Sequence, residues 1–259
     1  MNFSRNKYAV TALLALALTT VFAYGRETED KEVDPRDLSS REFLHYARRP
    51  FAQEAWGYFS GTVQHRGTDA PRKTPVELSL LFKKDLIKAQ LVLDETQVYN
   101  ITQVYMGNRP PQITVTPPPK QRGKTSLQEL GITPRDLTFA FLYWKFIEES
   151  DKQEKVRGQE CRIMLLKDPR SETHARVWFS AKYLFPLRVR TLKIQNGTKT
   201  IKRELEFTDF KRHKKIWYVK ALRLEGPAWK TRVKFDQAEL AFTDEHPPPP
   251  NLFSPDTTR

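Results

Sequence analysis

Cysteine is almost missing from this chain of 259 residues: Cys161 stands alone. A single thiol excludes an intrachain disulfide, and its distance from the start of the chain excludes a lipid-modified N-terminal cysteine. Its place in an alternating apolar run predicts a small buried core residue. Histidines paired for a metal are lacking too, since His45, His65, His174, His213 and His246 fall in different segments. No glycine-rich phosphate loop and no GxSxG elbow occurs. Asp136 and Asp168 are accounted for by a helix start and a turn, so no catalytic residue, metal or cofactor is expected. Carboxylates are in deficit, with 31 Asp and Glu against 44 Lys and Arg and a net charge of +13. The excess is spread along the chain rather than gathered in a tail, which places most of it on solvated faces and suits nucleic acid, anionic lipid headgroups or an acidic protein. The densest basic run, Lys211 to Lys215, lies between two strand-like segments and reads as a solvated turn.

Long apolar runs are absent except at the N-terminus. There Arg5 and Lys7 precede an uncharged stretch, Tyr8 to Ala23, that ends in Val21-Phe22-Ala23. This is the pattern of a cleaved secretory signal over residues 1–23, with Ala23-Tyr24-Gly25 as the alternative cleavage site and an uncleaved anchor as the second reading. The stretch is shorter than the ~18 to 20 residues that span a bilayer. Removing it takes away only Arg5 and Lys7 from the basic excess. Export argues against a nucleic-acid partner. A charged spacer occupies residues 24–36, one domain is expected over 37–245, and a proline-rich tail over 246–259, where Pro247 to Pro250 predict a stiff extended stalk.

Within the domain, Ser39-Ser40-Arg41-Glu42 reads as a capping box opening a short amphipathic helix that runs to Pro50. Beyond it the period falls to two. Phe59 and Val63, then Val76 to Phe82, Ile87 to Leu93, and Tyr99 to Tyr105 alternate apolar with polar, as antiparallel strands with one wet face do. From Gly107 to Gly131 alternation stops, and Pro110, Pro111, Pro117 to Pro119 and a basic cluster predict an extended connection. Alternation returns at Cys161 to Leu165 and Ala175 to Phe179, joined by an Asp168-Pro169 turn. Leu187 and Val189 slip in phase to Leu192 and Ile194, as a bulge produces. Asn196-Gly197 is the strongest hairpin signal, a turn reading preferred over the Asn-Gly-Thr sequon that the same residues form, and it leads to Ile201, Leu205 and Phe207; Ile216 to Leu224 and Val233 with Phe235 follow.

Thr133 to Phe146 stands apart. It opens as a helix, with Thr133 at the cap, Pro134 at the first position and Asp136 in the first turn. Leu137, Ala140, Phe141 and Trp144 then share one helical face while Phe139, Leu142, Tyr143 and Phe146 cover the rest. A helix apolar nearly all round is either a buried core helix or the wall or lid of an apolar cavity. The whole predicts a mainly β domain: one strongly curved antiparallel sheet of ten or eleven strands, an open half-barrel with short helices on its concave face.

Asp136-Leu137 with Phe139 to Trp144, Gly158-Gln159-Glu160-Cys161 opening a strand that ends at Asp168-Pro169, Val177-Trp178, and the hairpin from Pro186 to Arg203 together resemble the outer-membrane lipoprotein-sorting proteins of the LolA-like group, in a divergent branch. The resemblance runs from Asp37 to the end and is closest from Thr133 to Phe207. It implies a periplasmic, monomeric, non-enzymatic carrier whose half-barrel takes up a lipid or the acyl chains of a lipoprotein. An inner-membrane transporter would load it and an outer-membrane acceptor would unload it. A lipid or lipoprotein sensor with the same fold is the alternative. On this reading Leu80, Phe82, Leu91 and Leu93 line one part of the cavity, and Phe139, Leu142, Tyr143 and Phe146 line or cover the other.

Overall fold

The computed structural model describes residues 34–48, 54–68, 70–106, 109–116, 126–195, 198–214 and 216–254. The expected signal, most of the spacer, the triple proline, the Asn196-Gly197 turn and the last five residues of the tail lie outside them. Twelve strands make one antiparallel sheet: β1 (Ala55–Arg66), β2 (Arg72–Lys83), β3 (Leu86–Leu93), β4 (Gln97–Met106), β5 (Arg109–Thr116), β6 (Lys145–Val156), β7 (Gln159–Lys167), β8 (Thr173–Ser180), β9 (Pro186–Gln195), β10 (Thr198–His213), β11 (Ile216–Gly226) and β12 (Trp229–Phe242). Across the sheet they run β5-β4-β3-β2-β1-β12-β11-β10-β9-β8-β7-β6. The chain starts in the middle, steps outward to one edge, crosses to the opposite edge, and returns strand by strand until β12 pairs with β1. The edge strands β5 and β6 do not meet, so the sheet is not closed.

The twelve strands are one or two more than the ten or eleven expected. β5 falls in the stretch taken for an extended connection, and β6 follows directly on the aromatic segment. Both are edges, where one ladder is enough to hold a strand that carries proline or charge. The slip at Leu192 is matched by an extra residue on the partner strand: Leu192 faces Ile201 and Thr191 faces Arg203, which leaves Lys202 bulged. A second bulge lies at the centre of the sheet, where Ser60 faces Gln237 and Gly61 faces Phe235. Gly61 has no room for a side chain there, because a Cβ would stand 2.0 Å from the carbonyl oxygen of Lys234.

The sheet bends around its own apolar face. Three strands separate β2 from β10, about 19 Å at the usual spacing if flat, yet Leu80 and Leu205 line one pocket. The same face buries Val76, Leu78, Leu80 and Phe82 of β2 together with Ala175, Val177 and Phe179 of β8. Helix α1 (Ser40–Ala47) closes part of it. The predicted capping box forms, with Ser39 N–H donating to Glu42 Oε2 at 2.9 Å. Phe43 packs edge-on to Phe179, ring centroids 5.7 Å apart, and the Arg162 guanidinium sits 4.5 Å from the Phe43 ring centroid.

The predicted aromatic helix is broken into pieces. α2 spans only Pro134–Leu137, Phe139 takes a left-handed backbone (φ 49°), a 3-10 turn covers Ala140–Tyr143, and Lys145 already belongs to β6. A continuous helix would carry half of its apolar residues away from the sheet. The break at Thr138 and Phe139 lets Ala140, Phe141, Leu142 and Trp144 all be buried. The end of the chain also differs from expectation. Residues 246–254 do not project as a stalk but fold back against the sheet, where Leu252 is buried beside Trp56 and the Phe253 carbonyl accepts from Gln90 at 2.8 Å.

Candidate functional site

Residues 126–144 cross the open side of the sheet between its two edges and are pinned at several points. Asp136, buried at the start of α2, accepts from Thr133 N–H at 2.7 Å and from Arg203 Nη1 of β10 at 2.8 Å, while Arg203 Nη2 bonds its other carboxylate oxygen. Arg203 Nη1 also donates to the Gly131 carbonyl at 2.9 Å. The neighbouring Arg135 bonds Asp168 at 2.7 Å in the turn between β7 and β8. Burial pushes the Asp168 carboxyl up, but the Arg170 N–H, the Arg135 guanidinium and the Ser171 hydroxyl outweigh it and hold the group below the usual carboxylate range. At the C-terminal side, Arg48 beyond α1 donates to the carbonyls of Leu142 and Trp144, each at 2.6 Å, and Tyr143 donates its hydroxyl to the Arg48 carbonyl at 3.0 Å. Burial moves the Tyr143 hydroxyl far above its ordinary range, so it acts as a neutral donor.

Between this crossing segment and the centre of the sheet lies an apolar pocket of about 80 Å³. Its floor comes from Phe59 and Val63 of β1, Leu78, Leu80 and Phe82 of β2, Leu91 of β3, Leu205 and Phe207 of β10, Leu222 and Leu224 of β11, and Val233 and Phe235 of β12. Its roof is Ile132, Asp136, Leu137 and Phe139. The single carboxylate in the lining, Asp136, is the one forked by Arg203, so no uncompensated charge faces the space. Phe139 is the keystone of the roof: its ring meets Phe141, Phe185 and Phe207 edge-on at 6.1, 6.2 and 5.4 Å. A phenylalanine with positive φ is strained, and here the three rings hold it.

Of the eight residues singled out from sequence, Leu80, Phe82, Leu91 and Phe139 line this pocket. Leu93 and Leu142 are buried in the core next to it. Tyr143 is held by Arg48 and packs against Tyr105 with the rings tilted at 57° and their centroids 4.9 Å apart. Phe146 lies on the edge strand β6 and borders a separate, charged depression with Glu148 and Arg162. The half of the pocket built by β10 to β12 was not singled out, although the alternation of Leu205 with Phe207 and of Val233 with Phe235 carries the same signal as that of β2. Among the described residues no cluster of three or more His, Cys, Asp or Glu could hold a metal ion.

No protein-family model matches this sequence, and neither does any curated protein. Solved structures do. A DUF1329 family protein from Desulfovibrio piger superposes with a TM-score of 0.56 at 14% identity, covering 79% of this chain and 91% of that one. A putative outer membrane lipoprotein-sorting protein domain from Vibrio parahaemolyticus gives 0.54 at 14% identity, over 77% and 91%. A LolA superfamily protein from Nitrosomonas europaea gives 0.47 at 9% identity, over 78% and 93%. The first two likenesses are of fold, and the fold is the one that the sequence resemblance implies.

Proposed function

We propose that this protein is an exported, periplasmic carrier that holds a lipid or the acyl chains of a lipoprotein in the pocket under the crossing segment, on its way to the outer membrane. The observation that carries the reading is the pocket itself: a lining of aliphatic and aromatic side chains in which the one acid is already neutralised. An acyl chain gains ~0.8 kcal/mol for each CH₂ taken out of water, so such a lining supplies affinity without any chemistry. Leu80, Phe82, Leu91 and Phe139 would touch the chain, with Leu93 and Leu142 in the core behind them, while Tyr143, held by Arg48, and Phe146, at the separate depression on β6, would not. At about 80 Å³ the space is far below the ~300–1,000 Å³ of an occupied ligand pocket. Uptake therefore needs the roof to move, and Phe139 is its strained point. A transporter that loads the carrier and an acceptor that unloads it would act by displacing that roof.

Native mass spectrometry of the protein purified from its own envelope tests the reading. The expected result is a lipid or acyl adduct that is lost in Phe139→Glu. Protein that carries no adduct and does not bind a fluorescent fatty acid would overturn it.

A further inference from the structure

On the outer face of the sheet, at the far ends of β1, β2, β11 and β12, lies a second cleft, of about 410 Å³, whose described lining residues include six Lys and Arg and no carboxylate. Strand register builds a row across it: Lys73 of β2 faces Gln64 of β1, Gln64 faces Arg232 of β12, and Arg232 faces Arg223 of β11. One step further, Arg66 faces Lys230. Cations opposed across a ladder weaken the pairing, so the sheet gains nothing from this arrangement. Glu225 compensates Lys230 and Arg223. Among the described residues, Arg66 and Arg232 have no carboxylate partner, Lys73 makes no ion pair and acts on Asp236 only at longer range, and all three are exposed.

We propose that this cleft is a phosphate-binding site that receives the headgroup of an anionic phospholipid, and so docks the outer face of the sheet on a membrane surface. Guanidinium groups offer paired donors to phosphate oxygens. The strand spacing of about 4.8 Å sets Arg232 and Arg223 next to one another on one side of the cleft, with Lys73 one strand beyond Gln64. A concave basic cleft fits a compact anion better than it fits a flat acidic protein surface. The site needs no occupant in the apolar pocket, so it is independent of cargo binding.

Co-sedimentation tests it, using the purified protein with phosphatidylcholine vesicles and with vesicles containing about a third phosphatidylglycerol. Binding is expected only to the anionic vesicles, to fall steeply with salt, and to weaken more than tenfold in Arg66→Glu/Arg232→Glu. The charge-matched pair Lys199→Glu/Lys202→Glu, exposed on the β10 side of the next hairpin, is expected to bind as the wild type does. Equal binding to both vesicle types, absence of binding, or equal losses in the two double variants would overturn the proposal. Calorimetric binding of inorganic phosphate to protein that does not sediment with anionic vesicles would overturn it as well, by assigning the cleft to free phosphate. Matching thermal melts for the two variants exclude unfolding as the cause of any loss.

Discussion

Arg203 of β10 forks onto Asp136 of α2 across the concave face, joining two residues 67 positions apart in the chain. The side chains are 18% and 7% exposed, so the pair works largely out of water. The fork depends on the Lys202 bulge, which restarts the alternation so that Arg203, Leu205 and Phe207 share the inner face. It ties the roof of the pocket to the sheet, and Asp136→Asn should cost about 3 kcal/mol, because breaking such a pair strands the remaining charge. Adding Arg203→Met should recover at least ~1 kcal/mol of that loss. Urea unfolding of the two single variants and the double variant measures the coupling; strictly additive losses would mean that the fork contributes nothing.

The second tie, between Arg135 and Asp168, gives a pH signature. The folded-state pKa of Asp168 lies below its ordinary value, so the unfolded chain takes up the proton first on acidification. The stabilisation is fully present above the usual aspartate range of ~4 and is lost as pH falls through the lower, folded-state value. Stability of the wild type should therefore drop more steeply below about pH 4 than that of Asp168→Asn. Thermal melts between neutral and acid pH check this; parallel profiles would contradict it.

Gly61 has a steric role distinct from that of a turn glycine. Gly61→Ala places a methyl group against the backbone of Lys234 and Phe235, and should cost about 3 kcal/mol or more, as other severe core clashes do. Gly158→Ala is the contrast: nothing lies within 4 Å of its Cβ, and only its φ of +78° is unfavourable, so about 1 kcal/mol is expected. Chemical denaturation of both ranks them, and the reverse order would refute the close approach at the centre of the sheet.

Leu222 is half-buried in the pocket wall. Leu222→Phe adds volume to the space without touching the ties that hold the roof, so stability should change by less than about 1.5 kcal/mol. Binding of a fluorescent fatty acid should weaken at least about tenfold if the space is where the chain sits. Unchanged affinity would move the ligand elsewhere.

Arg232→Glu separates fold from partner. Replacing one cation of the facing Arg223 and Arg232 pair should leave stability unchanged or raise it by up to about 1 kcal/mol. A melt that falls by several degrees would show that the row holds the sheet together.

The ten inner strands were legible because apolar residues recur at every second position on the face turned to the core, as in Val76, Leu78, Leu80 and Phe82, even where, as in β7 and β8, the other face is buried as well. The edges were not. β5 opens with Arg109, Pro110 and Pro111, and β6 reads Glu148, Glu149, Asp151, Lys152 along its length, since an edge strand gains protection from groups that hide the alternation. The break at Phe139 was equally hidden, because helix propensity reads as continuous through a segment whose shape is set by three distant phenylalanines. Asp136 was assigned to capping alone. It does cap, but its partner Arg203, 67 residues away, is identified only once the bulge at Lys202 has set which face that arginine occupies.

The pairing of β1 with β12 brings Ser60 within hydrogen-bonding distance of Gln237, a separation of 177 residues. Every other ladder joins strands adjacent in the chain, so two meanders can assemble locally as they emerge, each leaving a sticky open seam. The seam closes only when the final strand arrives, and until then it is a template for pairing with other chains. Folding should thus be gated by synthesis and delivery of the last thirty or so residues. A chain truncated before Trp229 would accumulate as an aggregating half-product rather than as a smaller stable domain.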